Sequence, residues 1–75
     1  NINIKVDLIF CDPPFKDQNI KLILEMIRKG SFLGKNNLIV LHRHKKNKEK
    51  YPLLFKIIEQ KNYGNSKIIF GMYEL

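Results

Sequence analysis

Two short, continuous apolar segments limit what this chain can fold into. The first, Val6–Cys11, has a single polar interruption at Asp7, and the second covers residues 38–41. Neither segment alternates apolar with polar residues, which is typical of strands buried on both faces. Between them, apolar residues recur at the spacing of one helix face: Ile20, Ile23, Leu24 and Ile27. The sequence therefore predicts a βαβ unit with parallel strands.

The second half of the chain predicts an antiparallel hairpin. Gly64 and Asn65 form a turn signal between two β-rich segments, residues 55–63 and 67–73. A short helix over residues 51–60, starting near Pro52, is the alternative for the first of these segments. With the hairpin, the predicted order is β-α-β, a basic loop and then β-β, and the sheet is mixed.

Turn and cap signals divide the first half. Asp17 or Asn19 can cap the start of the helix, and Gly30 can end it. Residues 34–37 are typical of a turn before the second strand.

Size and charge narrow the possible classes. The chain has 75 residues and a formal charge of +7, and 44% of its residues are hydrophobic, as in a folded domain. Two strands and one helix cannot cover both faces of a sheet, so we expect a partial domain over residues 1–75. A naturally small domain is the alternative. No segment is apolar enough to predict a membrane helix. The single cysteine, Cys11, excludes an internal disulfide and favours a reducing, cytoplasmic setting.

The chemistry is concentrated where the first strand ends, in the segment Asp12, Pro13, Pro14 and Phe15. Ligands of open α/β sheets bind at the carboxyl ends of strands. Asp12 supplies a carboxylate and Pro13 a carbonyl, and both could accept hydrogens from an exocyclic amine of a nucleobase. Pro14 stiffens the turn, and Phe15 offers a ring on which a base can stack. This set of groups suits methyl transfer to that amine, because acceptors stabilise the positive charge that develops on nitrogen.

These residues resemble a known signature. Asp12 to Phe15 fit the (D/N)-P-P-(F/Y/W) motif of S-adenosylmethionine-dependent amino-methyltransferases that act on nucleic acids. Together with the residue 38–41 strand that ends at His42 and the turn around Lys61-Asn62-Tyr63-Gly64, the chain resembles the C-terminal half of RsmD-type 16S rRNA guanine-N2 methyltransferases. The resemblance covers nearly all of the chain.

The resemblance implies a fold, a cofactor and a partner. The fold is α/β, the C-terminal half of a Rossmann-like class I methyltransferase sheet, with a parallel βαβ unit followed by an antiparallel β-hairpin. The methyl donor is S-adenosylmethionine, with Asp12 at the edge of its site. The N-terminal half with the main Gly-rich cofactor loop lies outside this sequence, so the fragment alone is expected to be inactive. The substrate is a guanine in 16S rRNA or the small ribosomal subunit, and neither a metal nor a membrane is needed.

A basic run follows the second strand. Arg43, Lys45 and Lys46 are candidate RNA phosphate ligands, and Lys48 and Lys50 continue the run past Glu49. A solvated loop without a ligand is the alternative for these residues. His42 and His44 are expected to be solvated loop residues, with RNA contact or a metal site as the alternatives. The resembling proteins often carry Glu where this chain has Leu41, which argues against a functional role for His42.

Other functions remain open at this point. Residues 12–15 could form only a rigid turn, or Asp12 could hold Mg²⁺ as in nucleotide hydrolases, although no phosphate-binding Gly-rich loop is present. A non-catalytic basic RNA-binding module, or a decayed remnant of an enzyme, would also fit the charge. DNA adenine-N6 and cytosine-N4 methyltransferases share the four-residue signature.

Overall fold

The computed structural model describes residues 6–13 and 19–74, which form one four-stranded sheet and one helix. The sheet order is β1-β2-β4-β3. The elements, in chain order, are β1 (Val6–Cys11), α1 (Ile20–Lys29), β2 (Leu33–His44), β3 (Phe55–Tyr63) and β4 (Ser66–Tyr73).

The sheet is mixed, as predicted. β1 runs parallel to β2, and α1 is the connection between them. β4 lies antiparallel to both β2 and β3, so the final hairpin places its second strand inside the sheet. The predicted α/β class, the βαβ unit and the hairpin are confirmed. The alternative helix over residues 51–60 is wrong, because β3 begins at Phe55.

Helix α1 forms where the apolar period predicts it. Asn19 is its N-cap, with Oδ1 accepting from the Leu22 backbone N at 3.1 Å, and Gly30 is its C-cap. Ile20 and Leu24 are buried against the sheet. The other predicted cap, Asp17, lies outside the described residues.

Strand β2 is longer than predicted at both ends. The turn expected at residues 34–37 is wrong, since β2 begins at Leu33. Asn37 is only 4% exposed there, and its Nδ2 donates to the carbonyls of Gly34 and Tyr73 at 2.9 and 2.8 Å. Its Oδ1 accepts from the Tyr73 backbone N at 2.9 Å. These bonds satisfy the amide, so a turn-forming residue is stable inside the sheet.

The hydrophobic core lies between α1 and one face of the sheet. The Tyr73 hydroxyl donates to the Leu24 carbonyl at 2.9 Å and ties β4 to the helix. Gly71 lies directly under the Phe55 ring, and a Cβ at this position would overlap that ring. The buried members of the core are Ile20, Leu24, Leu33, Ile39, Leu41, Phe55, Ile69 and Tyr73.

The opposite face of the sheet is exposed at β1, while Val40 of β2 on that face is buried. Leu8 and Phe10 on β1 are 62% and 64% exposed. Their partners in the parallel ladder are Leu38 and Val40 of β2. The apolar character of both strands predicts cover on both faces, and α1 supplies it on one. Within residues 6–13 and 19–74, no helix has the length and apolar character to cross a bilayer.

Candidate active site

The site is built at the edge of the sheet where the parallel strands β1 and β2 both end. Cys11 is opposite Leu41 in the ladder, so Asp12 follows β1 beside His42 of β2. The Asp12 side chain is 51% exposed. This places the predicted catalytic carboxylate where ligands of open α/β sheets bind. Pro14 and Phe15, predicted to stiffen the turn and stack on the base, lie outside the described residues.

His42 links Asp12 to the hairpin. Its Nδ1 lies 3.0 Å from Asp12 Oδ1, and its Nε2 lies 2.9 Å from Ser66 Oγ at the start of β4. The His42 side chain is 27% exposed, so it is half-buried on the face of the sheet opposite the core. The expectation of a solvated loop residue is wrong, because His42 belongs to β2 and contacts the predicted catalytic carboxylate.

Arg43, the next residue, points to the other face and is buried. Its side chain is 1% exposed and is paired with Glu49, with Nε donating to Oε1 at 2.6 Å and Nη2 also on Oε1. Its Nη1 donates to the Pro13 carbonyl at 3.2 Å. The prediction that Arg43 stands in a solvated loop and contacts RNA phosphate is therefore wrong in this structure. The guanidinium instead holds the backbone of the predicted motif.

Glu49 completes this buried group, although the motifs of the sequence do not single it out. Its side chain is 10% exposed, and Asn47 Nδ2 also approaches Oε1 at 3.4 Å. Its Oε2 is buried and has no hydrogen-bond partner among the described residues. An acidic residue within a run of lysines is the signal that could have indicated a buried partner for Arg43.

The Pro13 carbonyl keeps capacity for a ligand. A carbonyl oxygen has two lone pairs, and Arg43 Nη1 engages one of them. The bond fixes the direction of the carbonyl from the core side. Asp12 and Pro13, the predicted pair of acceptors, are thus each held by one of two consecutive residues of β2.

Cys11, the last residue of β1, lies on the core side of the sheet. It is part-buried against the core. Burial raises the pKa of the Cys11 thiol, the Arg43 charge lowers it in part, and the Asp12 charge adds to the rise. A raised pKa keeps the thiol protonated near neutral pH, which suits a packing role.

Exposed lysines follow β2 on the same edge of the sheet. Lys45 and Lys46, the two other predicted phosphate ligands, are exposed, and the Lys45 backbone N donates to the Asn65 carbonyl at 2.6 Å. A shallow cleft of about 400 Å³ lies nearby, between the start of α1 and this segment. It is lined by Asn19, Ile20, Lys21, Lys48, Glu49 and Lys50. Among the described residues, no three His, Cys, Asp or Glu side chains are grouped as metal ligands.

Solved structures of methylases share this fold. A protein from Haemophilus influenzae that is provisionally named a methylase superposes with a TM-score of 0.77 at 20% identity, over 92% of this chain and 43% of that one. A provisionally named methyltransferase from Escherichia coli gives a TM-score of 0.79 at 16% identity, over 96% and 41%. A conserved hypothetical protein from Streptococcus pyogenes gives 0.81 at 26%, over 97% and 46%. The fold is that of part of a methyltransferase domain.

Sequence comparison assigns the family. Residues 1–72 match the family described as conserved hypothetical protein 95, and the chain belongs to that family. An uncharacterized methylase from Rickettsia prowazekii (strain Madrid E) is 30% identical over 74 residues, which is 97% of this chain. The chain spans 31% of that relative's length and less than half of each of the solved structures.

Proposed function

We propose that this chain is the C-terminal part of an S-adenosylmethionine-dependent methyltransferase that methylates the exocyclic N2 amine of a guanine in 16S rRNA. One observation carries the proposal. An exposed Asp12 carboxylate, held by His42, stands next to a Pro13 carbonyl that is held by Arg43. Membership of a family with a relative named a methylase supports the reaction class. The choice of guanine N2 and of 16S rRNA rests on the resemblance of the sequence to RsmD-type enzymes.

The two acceptors suit the chemistry of an aromatic amine. Its nitrogen lone pair is delocalised into the base, so the nitrogen is a poor nucleophile. Hydrogen bonds from the NH₂ group to Asp12 and to the Pro13 carbonyl orient the nitrogen and stabilise the charge that develops on it. A bound methyl donor would supply an electrophilic methyl group and leave as a neutral thioether, and the proton that the methylated amine loses would pass to water. Because the acceptors are fixed before the reaction, positioning supplies a large share of the rate.

Among the described residues, Asp12 is the one that suits the methyl donor. S-adenosylmethionine supplies the methyl group when bound, and its cationic sulfonium suits the exposed Asp12 carboxylate. The glycines, at positions 30, 34, 64 and 71, are dispersed and form no Gly-rich loop. We therefore assign most of the cofactor pocket to the part of the polypeptide that the longer relatives have beyond this chain, and we expect residues 1–75 alone to be inactive.

The RNA contacts follow from charge. Lys45 and Lys46 are exposed beside the end of β2, and the chain carries +7 overall. Phosphate contacts of this kind position RNA without reading its sequence. Phe15 is the predicted stacking platform for the target base. The proposed partner is the small ribosomal subunit or its 16S rRNA.

The test is methyl transfer by the full-length polypeptide that carries this sequence. Small subunits from a strain that lacks the gene serve as substrate, with methyl-labelled S-adenosylmethionine, and nucleosides are then resolved by mass spectrometry. We expect label in N2-methylguanosine. Label in N6-methyladenosine or N4-methylcytidine would show that the enzyme methylates another base. Transfer to DNA only would show that the substrate is not RNA. No transfer to any nucleic acid would contradict the proposal.

A non-catalytic RNA-binding module is the second candidate, and the exposed lysines after β2 favour it. It predicts RNA binding that weakens steeply with salt and is accompanied by no methyl transfer. Binding without turnover by the full-length protein would support this candidate instead.

A further inference from the structure

We propose that His42 is a positioning residue, which holds Asp12 Oδ1 so that Oδ2 faces the target amine. The inference rests on the proposed function and adds a residue that the acceptor motif does not contain. Three neighbouring strands meet in this contact: Asp12 follows β1, His42 belongs to β2, and Ser66 begins β4.

Asp12 needs an external support. It lies beyond the last residue of β1, and its side chain is 51% exposed. An exposed Asp side chain at a strand end otherwise exchanges between rotamers. His42 is different, since it lies inside β2, directly after the last residue paired with β1, and it is paired with Ile68 of β4. The rigid strand therefore supplies the orientation that the end of β1 lacks.

Ser66 fixes the His42 ring from the far side. In the antiparallel ladder His42 is opposite Ile68 and His44 is opposite Ser66, so Ser66 is the diagonal neighbour of His42 on the same face. The contact from Nε2 to Ser66 Oγ is 2.9 Å, and the contact from Nδ1 to Asp12 Oδ1 is 3.0 Å. With both ring nitrogens engaged, the imidazole cannot turn without losing a bond.

The partners also define where the proton sits. A carboxylate only accepts hydrogen bonds, so Nδ1 carries the hydrogen and donates to Asp12. In the neutral ring Nε2 then accepts from the Ser66 hydroxyl, and this assignment of the tautomer follows from the bonding partners. Among the described residues, the Asp12 carboxylate has no hydrogen-bond partner besides His42, which leaves Oδ2 for the amine.

Four variants of the full-length methyltransferase test the role by steady-state kinetics. His42→Phe removes both bonds and is expected to lower kcat about 30- to 100-fold, with KM for both substrates changed less than about 3-fold. His42→Asn restores a donor near the Nδ1 position and should recover kcat to within about 5-fold of wild type. Ser66→Ala should lower kcat about 3- to 10-fold. The control Asn36→Ala, at an exposed position of β2 away from this site, should stay within about 2-fold.

The outcomes separate this inference from the proposed function. Wild-type kcat in His42→Phe, with an inactive Asp12→Asn, overturns the positioning role and leaves the methyltransferase proposal standing. Equal losses in His42→Phe and His42→Asn also overturn it, because the donor would then be irrelevant. If His42→Phe fails to fold, His42→Asn and Ser66→Ala decide. Wild-type activity of Asp12→Asn contradicts the proposed mechanism itself.

Discussion

His42 and Arg43 are consecutive residues of one strand, and each holds one residue of the motif, yet their surroundings are opposite. His42 lies on the face opposite the core, is 27% exposed, and contacts the Asp12 side chain. Arg43 lies on the core face, is 1% exposed, and donates to the Pro13 backbone carbonyl. Successive side chains of a strand point to opposite faces, which explains how one segment performs both tasks.

The contacts of Arg43 and His42 have different roles. A fully desolvated guanidinium must stay paired, so the Arg43–Glu49 pair is tied to the folded state. The His42 imidazole is partly exposed to water, so replacing it leaves no buried charge without a partner. We therefore expect the replacement to lower the turnover rate more than the free energy of unfolding. Replacing Arg43 is therefore predicted to lower stability, and replacing His42 is predicted to lower the rate of catalysis.

The largest effect is expected on the buried face. Arg43→Met leaves the Glu49 carboxylate buried and unpaired, and should lower the free energy of unfolding by about 3–5 kcal/mol. Urea titration of the full-length protein followed by circular dichroism measures this. The double variant Arg43→Met/Glu49→Leu removes both charges and should recover most of the loss. A double variant no more stable than the single one would contradict the role of the pair.

The next largest effect is expected near the start of β2, where the buried Asn37 amide is satisfied by hydrogen bonds. Asn37→Ala strands the Tyr73 backbone N–H and two carbonyls, and should cost about 3 kcal/mol of unfolding free energy. The exposed neighbour Asn36 is the matched control, and Asn36→Ala should change stability by less than about 0.5 kcal/mol. Equal effects at the two positions would show that the buried amide is not what stabilises this end.

A change on the exposed side should leave folding alone and act on RNA. Replacing Lys45 and Lys46 together with Ala should weaken RNA binding about 10-fold near physiological salt and reduce the slope of log K against log salt by up to about 2. Fluorescence anisotropy across a salt series measures both quantities. The melting temperature should not change. An unchanged slope would remove these lysines from the RNA interface.

The smallest effect concerns the hairpin turn, which touches neither face. Gly64 has φ = 54°, and nothing lies within 4 Å of where its Cβ would be. Gly64→Ala should therefore cost only the backbone strain of the left-handed region, about 1 kcal/mol, and Gly64→Asn less. Thermal unfolding of the two variants checks the order. A larger loss in Gly64→Asn than in Gly64→Ala would contradict this explanation.

The sequence predicted the sheet and the helix well because their signals are local. Helix α1 corresponds to the apolar period that ends at Ile27, and β1 and β2 correspond to the continuous apolar runs. The β3–β4 hairpin corresponds to the turn signal at Gly64. Asn37 was assigned to a turn because nearby residues favour turns, and its stability in β2 depends on Tyr73, 36 residues away in sequence. No local pattern encodes that contact.

The site was only half predictable for the same reason. Asp12 and Pro13 were found from a motif, but the residues that hold them come from β2, β4 and the segment after β2. The basic run that begins at Arg43 favours a surface position, whereas the structure buries this side chain. The period of the strand was the available signal: Arg43 continues the buried series Ile39 and Leu41 at alternate positions.

In the proposed mechanism, the Asp12 carboxylate accepts hydrogen bonds from the amine that is methylated. Asp12→Asn changes one oxygen to NH₂ and keeps the shape of the side chain, so its effect on the full-length enzyme is the most direct test. Single-turnover methyl transfer to small subunits is expected to slow at least about 1,000-fold, with RNA affinity and melting temperature unchanged. A rate within about 3-fold of wild type would contradict the account.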